Sequence, residues 1–314
     1  MTIRSGLAGQ IGYVAESTWG TAVTVTKFLP IRTIDGERLR IDTLDSPAIR
    51  TGRTILHAND TYQGRRWVEF NWSTDLFTQS TALLFKHALG TNNTTGAGPY
   101  THTVTPGDLD GLGLTIQCGI PDTSGTVQPF TYDGCKINTL TIGARVGEIA
   151  TMEVGVLGQD ETTGTALATY NPSATLSAYN FTGATLTIAG SAVSTCRDLT
   201  LTIDNRLSPV HVLGSNLIIE PHMEELRQVT GAATVEFESL TAYNRWKGAT
   251  QAALVATFTS GTNSITATLN VRFDPTGAPL SGPGKVLLPL PFTAVGSTDA
   301  AAITVVCVNG DSAA

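Results

Sequence analysis

The side chains that most often carry catalysis or bind metal ions are scattered along this chain. Its five histidines include no His-Glu-x-x-His motif and no close pair at metal-ligand spacing. The nearest approach to a metal cluster is His222 with Glu224 and Glu225, and a solvated loop explains this grouping better. The sequence therefore predicts no metal centre.

Short motifs for other chemistries are incomplete. Asp122-Thr123-Ser124-Gly125 is close to an aspartyl protease signature, but Ser124 stands where that signature needs glycine, so a turn is expected. Gly111-Leu112-Gly113 lacks the third glycine of a dinucleotide-binding loop, and no Gly-x-Ser-x-Gly elbow exists. These patterns predict no cofactor and no catalytic site, so we expect a protein that is not an enzyme.

The four cysteines, Cys118, Cys135, Cys196 and Cys307, lie far apart and form no Cys-x-x-Cys motif. We expect buried free thiols, which are typical of proteins made in a reducing cytoplasm. The N-terminus shows no apolar signal-peptide region. No apolar run reaches the ~18 residues that a membrane helix needs, so no membrane is expected as a partner.

The composition predicts many strands joined by tight turns, and a surface that contacts protein. Of 314 residues, 41% are hydrophobic and only 14% are charged, whereas about 25% are charged in typical proteins. The 32 glycines and the abundance of Thr and Val favour turns and strands. A net charge of −7 argues against adhesion to nucleic acid, because phosphate binding needs clustered Lys and Arg.

The chain contains the same sequence pattern twice. Leu-x-Ile-Asp-x-x-x-Ser-Pro begins at Leu39 and again at Leu201, 162 residues later. Gly-x-x-x-Val-Glu-Phe begins at Gly64 and at Gly231, 167 residues later. A third match pairs alternating apolar stretches that end in Gly: residues 137–147 and 149–158 with 286–296 and 301–310. This order predicts two tandem domains, 1–165 and 166–314, with coincidence among Thr- and Val-rich strands as the alternative.

The hydrophobic periods place strands through most of each half and one helix in each. Apolar residues at helical spacing predict helices over 75–90 and 240–255, although 254–259 also fit a strand. Long irregular loops are expected at 44–66 and 206–231. The predicted fold is mainly β, with two tandem β-sandwich domains that each carry one α-helix packed on the sheet. Other predicted strands are 9–23 with a turn at Gly20, 24–34, 38–41, 65–72, 100–104, 114–118, 134–145, 149–157, 175–181, 184–188, 198–204, 233–237, 264–273, 285–293 and 303–308.

The segment Gly12–Val23, followed by Phe28-Leu29-Pro30, resembles the opening of tail tube (major tail) proteins of long-tailed bacteriophages. The stretch Leu199–Leu207 and the order of sheet, loop, Val-Glu-Phe strand and helix are also similar to that family. The resemblance implies a virion protein whose tube domains each add four strands to an inner β-barrel. It places the helix outside and a long loop toward a neighbouring ring, and closure of the barrel removes free sheet edges.

The resemblance also implies how the chain assembles. Two tube domains per chain imply trimeric, pseudo-hexameric rings stacked into a tube, rather than rings of six chains. Tape measure, tail terminator and distal tail proteins are the implied partners, in a virion tail built from protein synthesised in the host cytoplasm. DNA is expected to pass through the lumen without specific binding, past Thr, Ser, Asn and acidic side chains.

The two long loops differ in charge. Residues 44–66 carry a net charge of +2 from four arginines against two aspartates, whereas 206–231 carry −1 from three glutamates against two arginines. We hypothesise that this difference guides subunit and ring contacts; accidental charges on two solvated loops are the alternative. The residues concerned are Arg50, Arg53, Arg65, Arg66, Glu220, Glu224 and Glu225.

Two other classes of function stay open at this point. A secreted or surface β-sandwich adhesin or carbohydrate-binding protein has a similar fold, but it would favour a signal peptide or disulfides. A carbohydrate-active or proteolytic virion enzyme would need a carboxylate pair or a triad, which the sequence does not offer.

Overall fold

The computed structural model describes residues 5–274, 277, 280 and 282–314, and it consists mainly of antiparallel strands. This confirms the mainly-β prediction, and the cause is visible along the strands, where buried and exposed side chains alternate. In the first half the elements are β1 (Gln10–Ala15), β2 (Lys27–Leu29), β3 (Thr33–Ile34), β4 (Leu39–Asp45), β5 (Thr61–Asp75), α1 (Thr81–Leu89), β6 (Gly90–Thr95), β7 (Tyr100–Pro106), β8 (Leu114–Pro121), β9 (Val127–Arg145), β10 (Thr151–Gly158) and β11 (Asp160–Thr162). In the second half they are β12 (Ala184–Ile188), β13 (Ser191–Ala192), β14 (Cys196–Asp204), β15 (Gln228–Glu236), α2 (Thr241–Lys247), β16 (Ala252–Ser260), β17 (Asn263–Phe273), β18 (Leu287–Ala294), α3 (Asp299–Ala302) and β19 (Ile303–Asn309).

One layer of the fold is a continuous antiparallel sheet that passes from the first half into the second. Its strand order is β4–β5–β10–β9–β14–β15–β18. The halves meet where β9 pairs with β14, with Leu201 opposite Ile142 and Thr202 opposite Thr141. The hydrogen-bonded ladder therefore continues across the junction, and both halves contribute to one surface.

The strand pairing of the first half recurs in the second. β1 pairs with β2 and β8, as β12 pairs with β13 and β16. β4 pairs with β5 across the first long loop, as β14 pairs with β15 across the second. β9 pairs with β8, β10 and β11, as β17 pairs with β16, β18 and β19. The first two sequence matches thus lie on equivalent strands, which supports the proposed duplication.

The third sequence match is wrong by one strand. It aligns residues 137–147 of β9 with 286–296 of β18, and 149–158 of β10 with 301–310 of β19. In the structure, however, β18 pairs with β15 as β10 pairs with β5, so β18 is the counterpart of β10. Neighbouring strands that bury one face have nearly interchangeable alternating patterns, and the pattern alone does not separate them.

The two halves also share their core. β7 of the first half pairs with β19 of the second, where Val104 lies opposite Val305. One cluster of buried apolar side chains includes Trp72 and Leu84 of the first half and Phe292 of the second. The boundary near residue 165 falls just after β11 and stays a proposal about the origin of the two halves.

The first predicted helix is present but shorter than predicted. α1 begins at Thr81, because Asp75 is still paired with Thr151 as the last residue of β5. Its C-terminal end is as predicted: Gly90 has a φ of +117°, and a Cβ there would lie 2.6 Å from backbone atoms of Gly107. Almost every residue of α1 is buried, so this helix is a core element.

The second predicted helix is wrong over its C-terminal part. α2 spans only Thr241–Lys247, and Ala252–Ser260 is the strand β16. The buried side chains of β16 are two residues apart, a spacing that a strand satisfies and a helix does not. They are Ala252, Leu254, Ala256 and Phe258. The overlapping strand prediction at 254–259 is therefore the correct one.

Both long loops are shorter than predicted, because the strands around them extend further. The first covers residues 46–60 and the second 205–227. The predicted strand at 175–181 is instead irregular chain, held by single bridges from Phe77 to Ala178 and from Ile149 to Asn180. The first predicted strand ends at Ala15, well before Gly20, whose φ of +75° does place a turn there.

Candidate functional site

One face of the β4–β18 layer is accessible to solvent, and we call it the open face. The opposite face of the same strands is buried in the core through side chains such as Phe70, Leu140 and Ile203. On the open face, cross-strand pairing aligns side chains into rows that cross the junction of the halves. The three central rows are Asn71–Gly155–Thr139–Asp204–Gln228, Ser73–Glu153–Thr141–Thr202–Thr230–Thr293 and Asp75–Thr151–Gly143–Thr200–Ala232–Pro291.

The middle row is a ladder of hydroxyl groups. The Thr141 and Thr202 hydroxyl oxygens lie 3.0 Å apart, across the junction between the halves. At the far end of the row, the Thr293 hydroxyl donates to Asp274 over 2.9 Å. Threonine suits these positions because its β-branched side chain favours a strand while its hydroxyl group stays hydrated.

Small residues keep the neighbouring rows flat. Gly155 stands between Asn71 and Thr139, and a Cβ at Gly155 would lie 2.7 Å from the Asn71 amide oxygen. Gly143 lies opposite Thr151, and a Cβ there would meet its hydroxyl oxygen at 3.0 Å. A larger side chain at either glycine would push a polar neighbour out of its row.

The open face carries more acidic than basic groups. Glu153, in the middle row, forms no ion pair with any residue that the structure describes. Asp204 is partly neutralised by Arg206, at 3.1 Å. At the edge of the face, Arg145 lies opposite Asp198, and its largely exposed side chain is 3.9 Å from Glu148. Such a surface repels phosphate rather than holding it.

The second long loop covers one end of the open face. Leu157 of β10 is buried there against Leu207 and Ile218. At the same end, the Lys136 ammonium group is buried and donates to the Leu109 carbonyl oxygen over 2.8 Å. A single lysine within the apolar stretch of β9 was the sequence signal for this contact, and pattern reasoning missed it.

Glu220, predicted as an assembly residue, is engaged within its own chain. Its carboxylate lies 2.8 Å from the Lys136 ammonium group and accepts a hydrogen bond from the Gly111 amide over 2.6 Å. Because Lys136 is buried, Glu220 supplies most of the opposite charge that makes this burial tolerable. Its charge is therefore occupied by the fold.

Glu224 and Glu225 differ from Glu220 in being exposed. They border a shallow cavity at the loop end of the open face together with Asp204 and Arg206. Neither glutamate forms an ion pair within the described part of the chain. Of the three acidic loop residues, these two stay available to a partner.

The four arginines of the first loop are paired within the chain. Two of them hold Asp60, whose carboxylate is buried and lies 2.6 and 2.7 Å from the two guanidinium groups. The pairs are Arg50 and Arg53 with Asp60, Arg65 with Asp42, and Arg66 with Asp160. The loop keeps a net positive charge, but each cation already has an internal partner.

The other candidate motifs have local roles. His222 Nδ1 lies 2.8 Å from the Asp110 carboxylate rather than beside Glu224 or Glu225. Within residues 5–274 and 282–314, no three His, Cys, Asp or Glu side chains come close enough to hold a metal ion. Hydrogen bonds from the Ser124 hydroxyl and the Gln128 amide lower the pKa of Asp122 to about 2, as expected for an exposed turn.

Glu16 organises the N-terminal segment that carries the Gly20 turn. Its carboxylate accepts hydrogen bonds from the Gly20 amide over 2.8 Å and from the Gly134 amide over 2.9 Å. Burial raises the pKa of Glu16 in spite of these bonds. Burial, with the charges of Asp160 and Glu16, also raises the pKa of Asp133 to about 6.

The thiol groups are as predicted. All four cysteines are free, and three of them are fully buried. Burial raises the pKa of Cys118 to about 12 and that of the half-buried Cys196 to about 11. Protonated, enclosed thiols are poor nucleophiles and poor metal ligands.

Among the residues that the structure describes, none of the helices has the length and apolar character needed to cross a bilayer. A family model described as phage tail tube protein matches residues 6–294. That match takes in the N-terminal segment, both long loops and all strands of the open face. No curated protein matches the chain.

Proposed function

The chain belongs to the phage tail tube protein family, and we propose that it forms stacked rings that make the tube through which phage DNA passes. The observation that carries the proposal is the open face, a hydroxyl-rich surface that runs through both halves without a break in the ladder. A tube wall needs a sheet with one buried and one hydrated face, because the hydrated face can line an aqueous lumen.

We assign the open face to the lumen. DNA phosphates are retained by clustered Lys and Arg, and the three central rows contain neither residue. Glu153 and Asp204 instead place negative charge along the path. Threonine hydroxyl groups between them offer weak, neutral hydrogen bonding, so DNA passes without specific binding.

We infer that the ring contains three chains. Each half supplies one copy of the strand-pairing pattern, so three chains present six copies with pseudo-sixfold symmetry. At one end of the layer, β4 is paired with β5 along one of its edges, and among the described strands none pairs with its other edge. Ile41 and Leu44 on this strand are exposed. Pairing of β4 with the far end of the next chain's layer would remove this free edge and close the barrel.

The tube belongs in the virion tail, after synthesis in the host cytoplasm. We propose contacts with tape measure, tail terminator and distal tail proteins at the lumen and at the ends of the tube. Glu224 and Glu225 are the loop residues best placed to guide ring contacts, since the loop arginines and Glu220 are paired internally.

Electron microscopy of the purified protein tests the assembly. We expect rings of three chains that stack into tubes, with the threonine rows on the inner wall. Rings of six chains, or a basic inner wall, would contradict the proposal.

A substitution pair tests the lumen assignment. Thr202→Arg places a cation in the middle row, and Thr163→Arg places the same cation on an exposed segment outside the rows. In tubes of either variant, we expect only Thr202→Arg to slow the passage of DNA during ejection. Equal passage through both tubes would count against the open face as the lumen.

A further inference from the structure

An apolar cavity lies where the second half meets the end of β9, at the end of the layer away from the second long loop; we call it the end cavity. Its volume is about 390 Å³, and its floor is formed by Leu186, Leu199 and Phe258. Val193 and Ser194 lie at its rim. The cavity exists because the chain is short here: two residues join β12 to β13, and three join β13 to β14.

In the first half the equivalent connections are longer. Residues 16–26 join β1 to β2, and residues 30–38 connect β2 to β4 with β3 between them. Val25 and Arg38 of these connections are buried. The short connections beside the end cavity are thus specific to the second half rather than a feature of the repeated fold.

At the other end of the layer, the second long loop forms a small hairpin over residues 208–219, which we call the loop hairpin. A bridge pairs His211 with Ile218, and the Ile219 amide donates to the Val210 carbonyl over 3.0 Å. The His211 ring packs edge-on against Trp67, with the ring centres 5.7 Å apart. The hairpin is therefore held before any partner arrives.

The tip of the loop hairpin presents an apolar side chain to water. Leu213 is fully exposed and Val212 is half-exposed. Gly214 follows with a φ of +94°, which makes the turn and leaves the leucine at its apex. Turn positions normally hold polar residues, whereas this turn presents a leucine to solvent and holds it in place, which leaves it available for contact with another molecule.

The tip and the end cavity cannot meet within one chain. β14 begins at Cys196 beside the cavity and ends at Asp204, where the second long loop starts. Nine strand residues span about 26 Å, at about 3.3 Å per residue. Contact between the two surfaces therefore requires two copies, and because the surfaces differ and lie at opposite ends, it repeats head to tail.

The charges of the two ends are complementary. The ionisable groups lining the end cavity, Arg145, Arg197 and Asp198, sum to +1. Those lining the cavity at the loop end, Asp204, Arg206, Glu224 and Glu225, sum to −2. Arg197 is paired with Glu236, and Arg145 lies 3.9 Å from Glu148 in a long, largely exposed ion pair that leaves its guanidinium group accessible. Head-to-tail approach brings the unpaired Glu224 and Glu225 toward Arg145.

We infer that the Val212–Leu213 tip of one copy inserts into the end cavity of a second copy in the next ring. This contact rests on the proposed stacking of rings and adds to it the residues that join one ring to the next. A leucine and part of a valine fit the cavity volume, and burying them removes apolar surface from water at each repeated contact.

Assembly of matched variants tests the contact. Leu213→Asp puts a charge into the apolar cavity and is expected to raise the protein concentration needed for tube formation at least tenfold, with rings still forming. Leu226→Asp is the control, because Leu226 is also highly exposed on the same loop but lies outside the hairpin. Ile49→Asp, at the fully exposed position of the first loop, tests whether that loop fills the cavity instead.

Crosslinking in assembled tubes gives a second readout. All crosslinking variants also carry Cys196→Ser, which removes the native thiol that lines the cavity. Leu213→Cys combined with Ser194→Cys then places one thiol at the tip and one at the cavity rim, where a disulfide needs Cα atoms within about 7 Å. Mild oxidation is expected to give a ladder of dimers, trimers and longer species on a non-reducing gel. Leu226→Cys with Ser194→Cys should stay monomeric.

The outcomes separate this contact from the proposed function. Wild-type protein that forms no rings or tubes overturns both. If the wild type forms tubes and Leu213→Asp forms them equally well, the contact is overturned and the proposed function stands. The same conclusion follows if Ile49→Asp alone impairs tube formation. Tubes of Leu213→Cys with Ser194→Cys that give no ladder overturn the contact as well.

Discussion

The helices α1 and α2 follow equivalent strands in the two halves but differ in burial, since α1 is almost wholly buried and α2 reaches the core mainly through Trp246. Each follows the Val-Glu-Phe strand of its half. α1 lies in the core against β6, β7 and β9, whereas Leu240 and Tyr243 beside or within α2 are exposed. The difference follows from the hairpin β6–β7, which comes directly after α1 and covers it, while α2 leads straight into β16.

The long loops show the same divergence. In the first loop, the arginines form ion pairs within the chain. In the second loop, Glu220 is paired with Lys136, whereas Glu224 and Glu225 form no ion pair within the described part of the chain. A duplicated pattern of strand pairing has thus been kept, while side chains of the second half stay available for contacts outside the chain.

Shortening one side chain in each helix should lower the free energy of unfolding by unequal amounts. Leu84→Ala in α1 removes a fully buried side chain and is expected to lower the free energy of unfolding by about 2–5 kcal/mol. Tyr243→Ala in α2 removes a ring that contacts Trp246 at 5.2 Å but is partly exposed, so a loss below about 1 kcal/mol is expected. Urea denaturation of both variants measures the difference, and equal losses would show that burial in the two halves is alike.

Neutralising two glutamates of the second long loop, one at a time, should show that the one paired within the chain matters for stability and the unpaired one does not. Glu220→Gln leaves the buried Lys136 without its closest carboxylate and is expected to cost about 2 kcal/mol of stability. Glu225→Gln removes an exposed, unpaired charge and should change stability by less than about 0.5 kcal/mol. The two unfolding midpoints measure the difference. A stable Glu220→Gln variant would mean that the Leu109 carbonyl and the Asp110 carboxylate, 4.0 Å away, satisfy Lys136 without Glu220.

The pH dependence of stability should have opposite signs for one acidic residue in each half. The pKa of Asp133 is raised to about 6, so folded protein holds its proton more tightly and stability is lost as pH rises from about 4 to above 6. Asp133→Asn should remove this loss and raise stability at pH 7 by about 1 kcal/mol, since the group is only half-buried. The variant and wild type should agree at pH 4.

Glu236 in the second half supplies the opposite case. Hydrogen bonds from Lys285 and then Arg197 lower its pKa, so its contribution is present at neutral pH and lost as pH falls. Glu236→Gln should therefore be destabilising at pH 7 and neutral at low pH. If the stability of each variant relative to wild type changed with pH in the same direction, the assignment of the two environments would be contradicted.

The smallest effect concerns an exposed pair of the first loop. Arg65→Ala breaks an ion pair with Asp42 at 2.7 Å, but both side chains are partly solvated, so a change of about 0.5 kcal/mol or less is expected. Unfolding measured at low and at high salt should give nearly the same value. A loss as large as that of Glu220→Gln would remove the distinction drawn between the loops.

Local patterns predicted a large part of the fold. Alternation located most strands, and the glycine after Leu89 marked the end of α1, because both depend on residues close together in sequence. The N-terminal start of α1 and the extent of α2 were predicted wrongly, since the pairing of Asp75 with β10 and of β16 with β12, both distant in sequence, decided them.

The candidate site was less accessible to prediction. A lumen of Thr, Ser, Asn and acidic groups was expected from composition and resemblance, but the rows depend on the register of β9 against β14, which no local pattern fixes. The Lys136–Glu220 pair joins residues 84 positions apart, and charge counting assigned Glu220 to a partner outside the chain. The end cavity was also unpredicted, because it is defined by chain that is missing relative to the first half.

The pairing of β7 with β19 sets an order of events during synthesis. About 200 residues separate the two strands, so a ribosome adding about 5–20 residues per second delivers β19 some 10–40 seconds after β7. Throughout that interval the edge of β7 that β19 will cover has no native partner. Contacts between strands so far apart fold slowly, and an uncovered edge is a site of aggregation. We therefore expect nascent chains stalled between β7 and β19 to need chaperone protection, and full-length chains to lose that need once β19 has docked.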